Sequence, residues 1–508
     1  MIRQVSSSLD STRLQRAFLF VVALIVFVFA VAAARWRPLW YDELFTLYVA
    51  SEPSIGDTLR ALLDGADTNP PVDYLLRHAV MAAIGSSPEA FRLASAAAFV
   101  AGLFAIYAFV RRRTPFLASA AAFLLPVATA ASYFSHEGRA YVLLVASAPL
   151  ALWAWQRAVD EPRRPVRLAV LFLSLCLGPF AHYYGLMNFL PVAAGEAWRS
   201  WQRRRLEAPI IATFIAACVA TLGLLPFARA AMAMKGHFWA AGFKATDLPL
   251  YYRDFLEYGG KTLVVLLVTA VALAVLSRVR APRAAGPGIP SHEWVAAVVL
   301  ALTPLTAFVL AKVVTGALVA RYTIAFVPGI AILAAYLLAY AEVTLRRAVA
   351  GFVAALATLA LWTHITAALS YRGSEPEGAG VLSALQASSL PVAFDSPHQF
   401  LELVHYAPQL AATGRLFYPM DSETALEVRG FDNDERALRG LSRIHPLNLP
   451  GYREFTDRNE RFLVVYTQAF WPSLVKALER DGYCLVPVDR KGSTSVLQAF
   501  PGCRPPED

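Results

Sequence analysis

The chain has 508 residues, of which 57% are hydrophobic and 16% charged, with a net charge of +9 and a mean hydropathy of +0.48. Soluble globular chains carry roughly 25% charged residues, so this is a membrane protein and not three soluble domains, a disordered chain, a collagen, a coiled coil or a disulfide-stapled scaffold. The positive charge does not point to nucleic acid, because the basic residues cluster between apolar runs, as a membrane topology requires.

Crossing about 30 Å of hydrocarbon takes about 20 apolar residues. The first run, 16–34, follows a basic start (Arg3, Arg13, Arg16) and precedes Arg35-Trp36-Arg37. Its apolar core exceeds the roughly 7 to 15 residues of a signal peptide and no small-residue cleavage site follows, so it is expected to remain as an anchor. Further runs lie at 91–110, 115–134, 140–155, 168–180, 184–197, 209–228, 262–276, 294–310, 322–340 and 349–369, which makes eleven.

The stretch 72–85 is moderately apolar but carries Asp73, Arg77 and His78. Leaving it out of the count places Arg111-Arg112-Arg113, Arg163-Arg164-Arg167, Arg203-Arg204-Arg205, Arg278-Arg280-Arg283 and Arg346-Arg347 all on the side of the N-terminus. Five successive loops then obey the positive-inside rule, and 72–85 is expected as an amphipathic helix on the outer surface. The expected fold is a polytopic α-helical membrane protein of about 11 transmembrane helices with outer juxtamembrane helices. Its membrane domain covers 1–370 and includes a long first outer loop at 35–89.

From 371 to 508 the composition turns polar and mixed. Strand-like runs at 392–394, 461–466 and 484–488 alternate with helix-like ones at 399–406 and 472–480, which suggests an exported α/β domain. Cys176 and Cys218 sit within apolar runs, while Cys484 and Cys503 share the exported domain, where either a bridge or two thiols is allowed. The aromatics Tyr406, Phe417, Tyr418, Phe470 and Trp471 read as core, with stacking on sugar rings as the alternative.

Chemistry is expected where polar residues gather at the outer membrane face. The first outer loop opens with Trp40-Tyr41-Asp42-Glu43, two adjacent carboxylates between aromatics. The plain reading is the first turn of a helix, which favours acidic residues. The functional one is a general base with a partner that orients a substrate or a metal. Arginines at the outer boundary can pair bidentately with phosphate oxygens or simply snorkel towards headgroups. Arg139 and Arg321 are the leading phosphate-binding candidates, with Lys312 a weaker one.

The order of these features resembles the GT-C superfamily of membrane glycosyltransferases, and most nearly the branch of protein O-mannosyltransferases and aminoarabinose transferases. The residues that carry the likeness are Asp42-Glu43 in the first outer loop, Pro70-Pro71-x-x-Tyr74-Leu75-Leu76, Phe91-Arg92-Leu93-x-Ser95, Glu137-x-Arg139-x-Tyr141, His182-Tyr183-Tyr184, and Arg321-Tyr322 followed by Pro328-Gly329. Asn69 stands where many members carry His, and no motif of the exported domain matches. The resemblance implies a polyprenyl-phosphate sugar as donor and transfer to a lipid, glycan or protein acceptor. Asp42 and Glu43 would be catalytic, Arg139, Arg321 and Lys312 would bind the donor phosphate, and Glu137, Tyr141, His182, Tyr183, Asn69 and Tyr322 would line the substrate site.

Asp42 would act as base in an inverting attack, with Glu43 holding Asp42 or the acceptor and the arginines stabilising the leaving phosphate. No cofactor is expected, although Asp-Glu with His136 and His182 would suit a divalent cation, Mg or Mn. Rival readings are a secondary transporter using the outer-loop carboxylates and a non-catalytic membrane scaffold. The excess of arginine over lysine and the absence of a retention signal favour a bacterial inner membrane, with the active site and the C-terminal domain facing the periplasm and an envelope molecule as acceptor.

Overall fold

In hydrocarbon a backbone can satisfy its own polar groups only as helix or closed barrel, and every apolar run named above falls on helix in the computed structural model. The structure describes residues 2–281, 286–467 and 472–502, with side chains from 12 onward. The side chain of Arg3, and Arg283, Phe470, Trp471 and Cys503, lie outside the described residues. Among those described, six helices are long and apolar enough to cross a membrane, or up to eight if two bent pairs each count as one span.

The bent pairs account for two of the expected runs. Phe116–Ala128 and Ala130–His136 meet at 70°, and Ser291–Ala301 and Thr303–Thr315 at 56°. At the first break Thr129 leaves helical geometry (φ −108°, ψ 169°), and its hydroxyl donates to the Pro126 carbonyl at 2.8 Å and accepts from the Ala131 amide at 3.2 Å. Thr129 is fully buried, so this irregular backbone is shielded by protein. The apolar helix Pro165–Ala181 is 17 residues long, at the lower limit of a span.

The last two expected runs share one 45-residue helix, Phe326–Ser370. Straight, it would reach about 68 Å, more than twice the hydrocarbon thickness. Leu345 (φ −122°, ψ 34°) breaks it, immediately before Arg346-Arg347. The kink therefore coincides with a basic cluster that the charge pattern assigns to a loop.

The chain divides into two compact units. The first comprises Met1–Trp36, Asn69–Pro226 and Phe243–Arg372; the second comprises Arg37–Thr68, Phe227–Gly242 and Gly373–Asp508. The stretch 35–89, which the sequence presents as one loop, is thus shared between them. In the first unit one apolar core built from Val, Leu, Ile, Phe and many Ala side chains joins most of the helices.

The second unit holds five strands: β1 (Val392–Phe394), β2 (Leu416–Phe417), β3 (Phe462–Thr467), β4 (Tyr483–Lys491) and β5 (Thr494–Pro501). They lie in the order β2-β1-β3-β5-β4, with β1 parallel to β2 and β3, and β5 antiparallel to β3 and β4. β3 is central, and its Phe-Leu-Val-Val run is buried throughout, as a strand covered on both faces should be. Asp395, at the end of β1, accepts the Leu474 amide at 2.6 Å and so caps the helix Ser473–Arg480. Cys484 in β4 takes part in a disulfide. Tyr418 is core as expected, whereas the Tyr406 hydroxyl accepts the Leu39 amide at 2.5 Å.

Candidate active site

The helix Val72–Ile84 forms where the sequence places it, but its charges do not face outward as an amphipathic surface helix requires. Asp73 and Arg77 are 2% and 0% exposed. Arg77 binds Asp73 bidentately, Nε to Oδ2 at 3.0 Å and Nη2 to Oδ1 at 2.9 Å. Nη1 donates to the Phe91 carbonyl at 2.8 Å, and Nη2 also reaches the Ser95 hydroxyl at 3.0 Å and the Arg139 carbonyl at 3.2 Å. Ser95 in turn donates to the Glu137 carbonyl at 2.6 Å. The i, i+4 spacing of Asp73 and Arg77 was the available signal; it marks a pair on one helix face without saying which way that face points.

Each residue of Phe91-Arg92-Leu93-x-Ser95 that touches this region has an identifiable task. A Cβ added to Gly138 would stand 2.0 Å from the Phe91 ring, so the chain between Glu137 and Arg139 passes too close for any side chain. Arg92, fully buried, donates to the Ala34 carbonyl at 2.7 Å, in the last turn of the first helix. Phe91, Ser95 and Arg77 together hold the backbone of the Glu137-Gly138-Arg139 turn in one place.

Tyr141 begins the helix that follows this turn, and around it the structure gathers three other residues singled out in the sequence. The Tyr141 ring lies 5.4 Å from His182 and 6.1 Å from Tyr322, and the Arg321 guanidinium is 5.3 Å from its centre. His182 lies 5.0 Å from Tyr322. Its Nδ1 accepts the Tyr184 amide at 3.2 Å, which places the proton on Nε2. Burial pushes the His182 imidazole down to about 3, with the charges of Arg139 and Arg321 acting in the same direction. A neutral imidazole flanked by two permanent cations in an aromatic setting is a place where an anion is stabilised and a further cation is not.

Of the His182-Tyr183 pair only the histidine joins this cluster. Tyr184, next in the same His182-Tyr183-Tyr184 stretch but not among the expected site residues, stacks on Tyr322 at 5.0 Å and bonds the Thr315 hydroxyl at 2.7 Å. Lys312 donates to the Phe243 carbonyl at 3.0 Å and sits 4.1 Å over the Phe243 ring. Asn69, half-buried, precedes the two prolines at the start of Val72–Ile84. Among the described residues no three His, Cys, Asp or Glu side chains converge as metal ligands.

Asp42 and Glu43 belong to the second unit and open the helix Tyr41–Ala50. Glu43 is fully buried: it binds Arg37 at 2.8 Å and accepts the Trp40 amide at 3.4 Å. Asp42 is half-buried. Beside it the Tyr41 ring stacks on His398, centroids 4.2 Å apart and planes within 11°. Burial pushes His398 down to about 4, against the pull of Asp42.

Residues 68–229 match the dolichyl-phosphate-mannose-protein mannosyltransferase family. No curated protein matches the sequence. Among solved structures the chain is similar to ArnT from Cupriavidus metallidurans in the apo state, at 13% identity and a TM-score of 0.58, covering 96% of this chain and 98% of that one. The same protein bound to undecaprenyl phosphate gives 15% identity and a TM-score of 0.56, covering 95% and 97%. The arabinofuranosyltransferase AftD from Mycobacteria gives 14% and 0.50, covering 96% of this chain and 40% of that one. At these identities the likeness is one of fold, and the stretch matched to the family contains the Arg77 anchor, the Glu137 to Tyr141 turn and His182.

Proposed function

We propose that this chain, a glycosyltransferase of the GT-C type by its fold and its family match, transfers a sugar from a polyprenyl-phosphate donor to an acceptor at the outer face of the membrane, with inversion at the anomeric carbon. The donor class is supported by the undecaprenyl phosphate bound to the similar ArnT. The observation that carries the reading is a buried His182 on which the charges of both Arg139 and Arg321 act, packed against Tyr141 and Tyr322, with Arg321 over the Tyr141 ring. Two guanidinium groups suit a phosphate, and the aromatic rings suit a sugar face.

In this mechanism Asp42 takes the proton from an acceptor hydroxyl or amine. The acceptor atom bonds to C1 of the sugar as the bond from C1 to the phosphate oxygen breaks, and polyprenyl phosphate departs with the electron pair. Arg139 and Arg321 stabilise the charge that grows on the phosphate, so a general acid has no task. Glu43, held by Arg37, keeps the Asp42 turn in place, and Glu137 orients Arg139. His182, already neutral, adds no competing cation and offers its Nε2 proton to a donor oxygen. No step is routed through a metal ion.

The topology proposed with this reading has eleven crossings of a bacterial inner membrane, basic loops in the cytoplasm, and the chemistry and second unit in the periplasm. The acceptor is a lipid, glycan or protein of the envelope.

The test is turnover of a polyprenyl-phosphate sugar of known anomeric configuration by the purified protein in vesicles, with the product read by NMR. Release of polyprenyl phosphate and the opposite configuration are expected; a product that keeps the donor's configuration would sink the single-displacement mechanism. In the same assay Arg321→Ala is expected to lower turnover about 10²- to 10³-fold, the usual cost of removing one preorganised charge-stabilising donor. A kcat within threefold of wild type would remove Arg321 from the phosphate site.

A further inference from the structure

We infer that the helix Pro397–Tyr406 of the second unit is a template that sets the position of Asp42, with Glu402 and Tyr406 as positioning residues. The inference rests on the reading of Asp42 as the base and deepens it. Three consecutive backbone amides precede Asp42 without a helical acceptor: that of Leu39, which lies before the helix, and those of Trp40 and Tyr41, which its start leaves unpaired. All three are taken by side chains. The Leu39 amide donates to the Tyr406 hydroxyl at 2.5 Å, the Trp40 amide to Glu43 at 3.4 Å, and the Tyr41 amide to Glu402. Two of the three acceptors come from one helix that is more than 350 residues away in the chain.

The spacing on that helix explains how. His398, Glu402 and Tyr406 follow one another at four-residue intervals, which places them along one face. In that order they meet the Tyr41 ring, the Tyr41 amide and the Leu39 amide. His405, beside this row, bonds the Tyr48 hydroxyl at 3.1 Å, so the helix Tyr41–Ala50 is gripped near both ends. Glu402 is 4% exposed and also accepts the Glu377 amide at 2.8 Å, which fixes the carboxylate from its own side. The carboxylate of Asp42 therefore follows directly on a backbone whose three preceding donors are held by the buried Glu43 and Glu402 and the half-buried Tyr406. A base displaced by about 1 Å loses about 10²-fold in rate, so holding these amides is a catalytic matter more than a folding one.

The experiment compares Glu402→Ala, Glu402→Gln, Tyr406→Phe and Asp42→Asn in the full chain, measuring kcat and KM for donor and acceptor together with the thermal midpoint. Glu402→Ala and Tyr406→Phe are each expected to lower kcat about 10- to 100-fold with KM within about threefold. Glu402→Gln, which keeps an acceptor oxygen, is expected to restore most of the rate. Tyr406→Phe, which removes one oxygen, keeps the test decisive if Glu402→Ala does not fold. Wild-type kcat in Tyr406→Phe, a rise in KM without a fall in kcat, or a Gln variant no better than Ala would overturn the template. These outcomes stand apart from the base assignment itself: an inactive Asp42→Asn beside a fully active Tyr406→Phe removes the template alone, and an active Asp42→Asn removes the base.

Discussion

Replacing Asp42 by Asn is expected to abolish sugar transfer, by at least the roughly 10²- to 10⁴-fold that a positioned base contributes, while the protein remains folded. Asn has the same shape and keeps a side-chain oxygen, but it cannot take the acceptor proton. The stability cost is expected to be modest: Asp42 sits half-buried in the first turn of its helix, where a negative charge is worth up to about 2 kcal/mol. The buried bonds that fix this turn belong to Glu43 and to the amides of residues 39 to 41, and none of them depends on the Asp42 charge. Turnover by purified Asp42→Asn, read with donor and acceptor saturating, is the direct measurement. A rate within tenfold of wild type would transfer the base role elsewhere.

Arg77→Ala is expected to be among the most destabilising single changes in the first unit. It would strand the Asp73 carboxylate, itself 2% exposed, without its bidentate partner. Breaking such a buried pair from one side costs about 3 to 5 kcal/mol. It would also release the carbonyls of Phe91 and Arg139 and loosen the Ser95 hydroxyl that holds Glu137. A marked drop in the thermal midpoint in detergent is the expected result. The double change Asp73→Asn with Arg77→Met separates the two effects, because removing both charges together restores much of the stability. It does not replace the donors to the Arg139 carbonyl, so transfer should stay impaired in a protein that again folds. A double variant as active as wild type would reduce Arg77 to a purely structural group.

Arg77 also shows why part of the site was hidden in the sequence. Its charge was read as a reason for 72–85 to lie on the surface, which holds for an unpaired arginine. Four buried acceptors reverse that preference, and they come from the helix itself, from Phe91 and Ser95, and from the Arg139 turn. Between Tyr183 and Tyr184 the sequence favours the first as a site residue, but the local winding after His182 decides which one faces Tyr322, and it is Tyr184. In the sheet, β1, β3 and β4 were legible as β-branched and aromatic runs. β2 has two residues, and β5 has a mixed burial pattern, so both depend on their neighbours and neither has a period of its own.

The sequence by itself determined which segments are apolar helices, because hydrocarbon leaves an apolar run no other way to pair its backbone, but not how many of them are long enough to cross. It likewise determined the side on which the basic loops are expected, and it named Arg139, Tyr141, His182, Arg321 and Tyr322, which the fold brings to one place. Only the tertiary structure decided which of two neighbouring carboxylates is sealed in a buried ion pair and that a helix near residue 400 supplies the partners for amides near residue 40. The physical reason is that periodicity reports the solvent a segment meets, whereas a buried polar group is satisfied by whatever donor or acceptor the fold brings to it, at any distance along the chain.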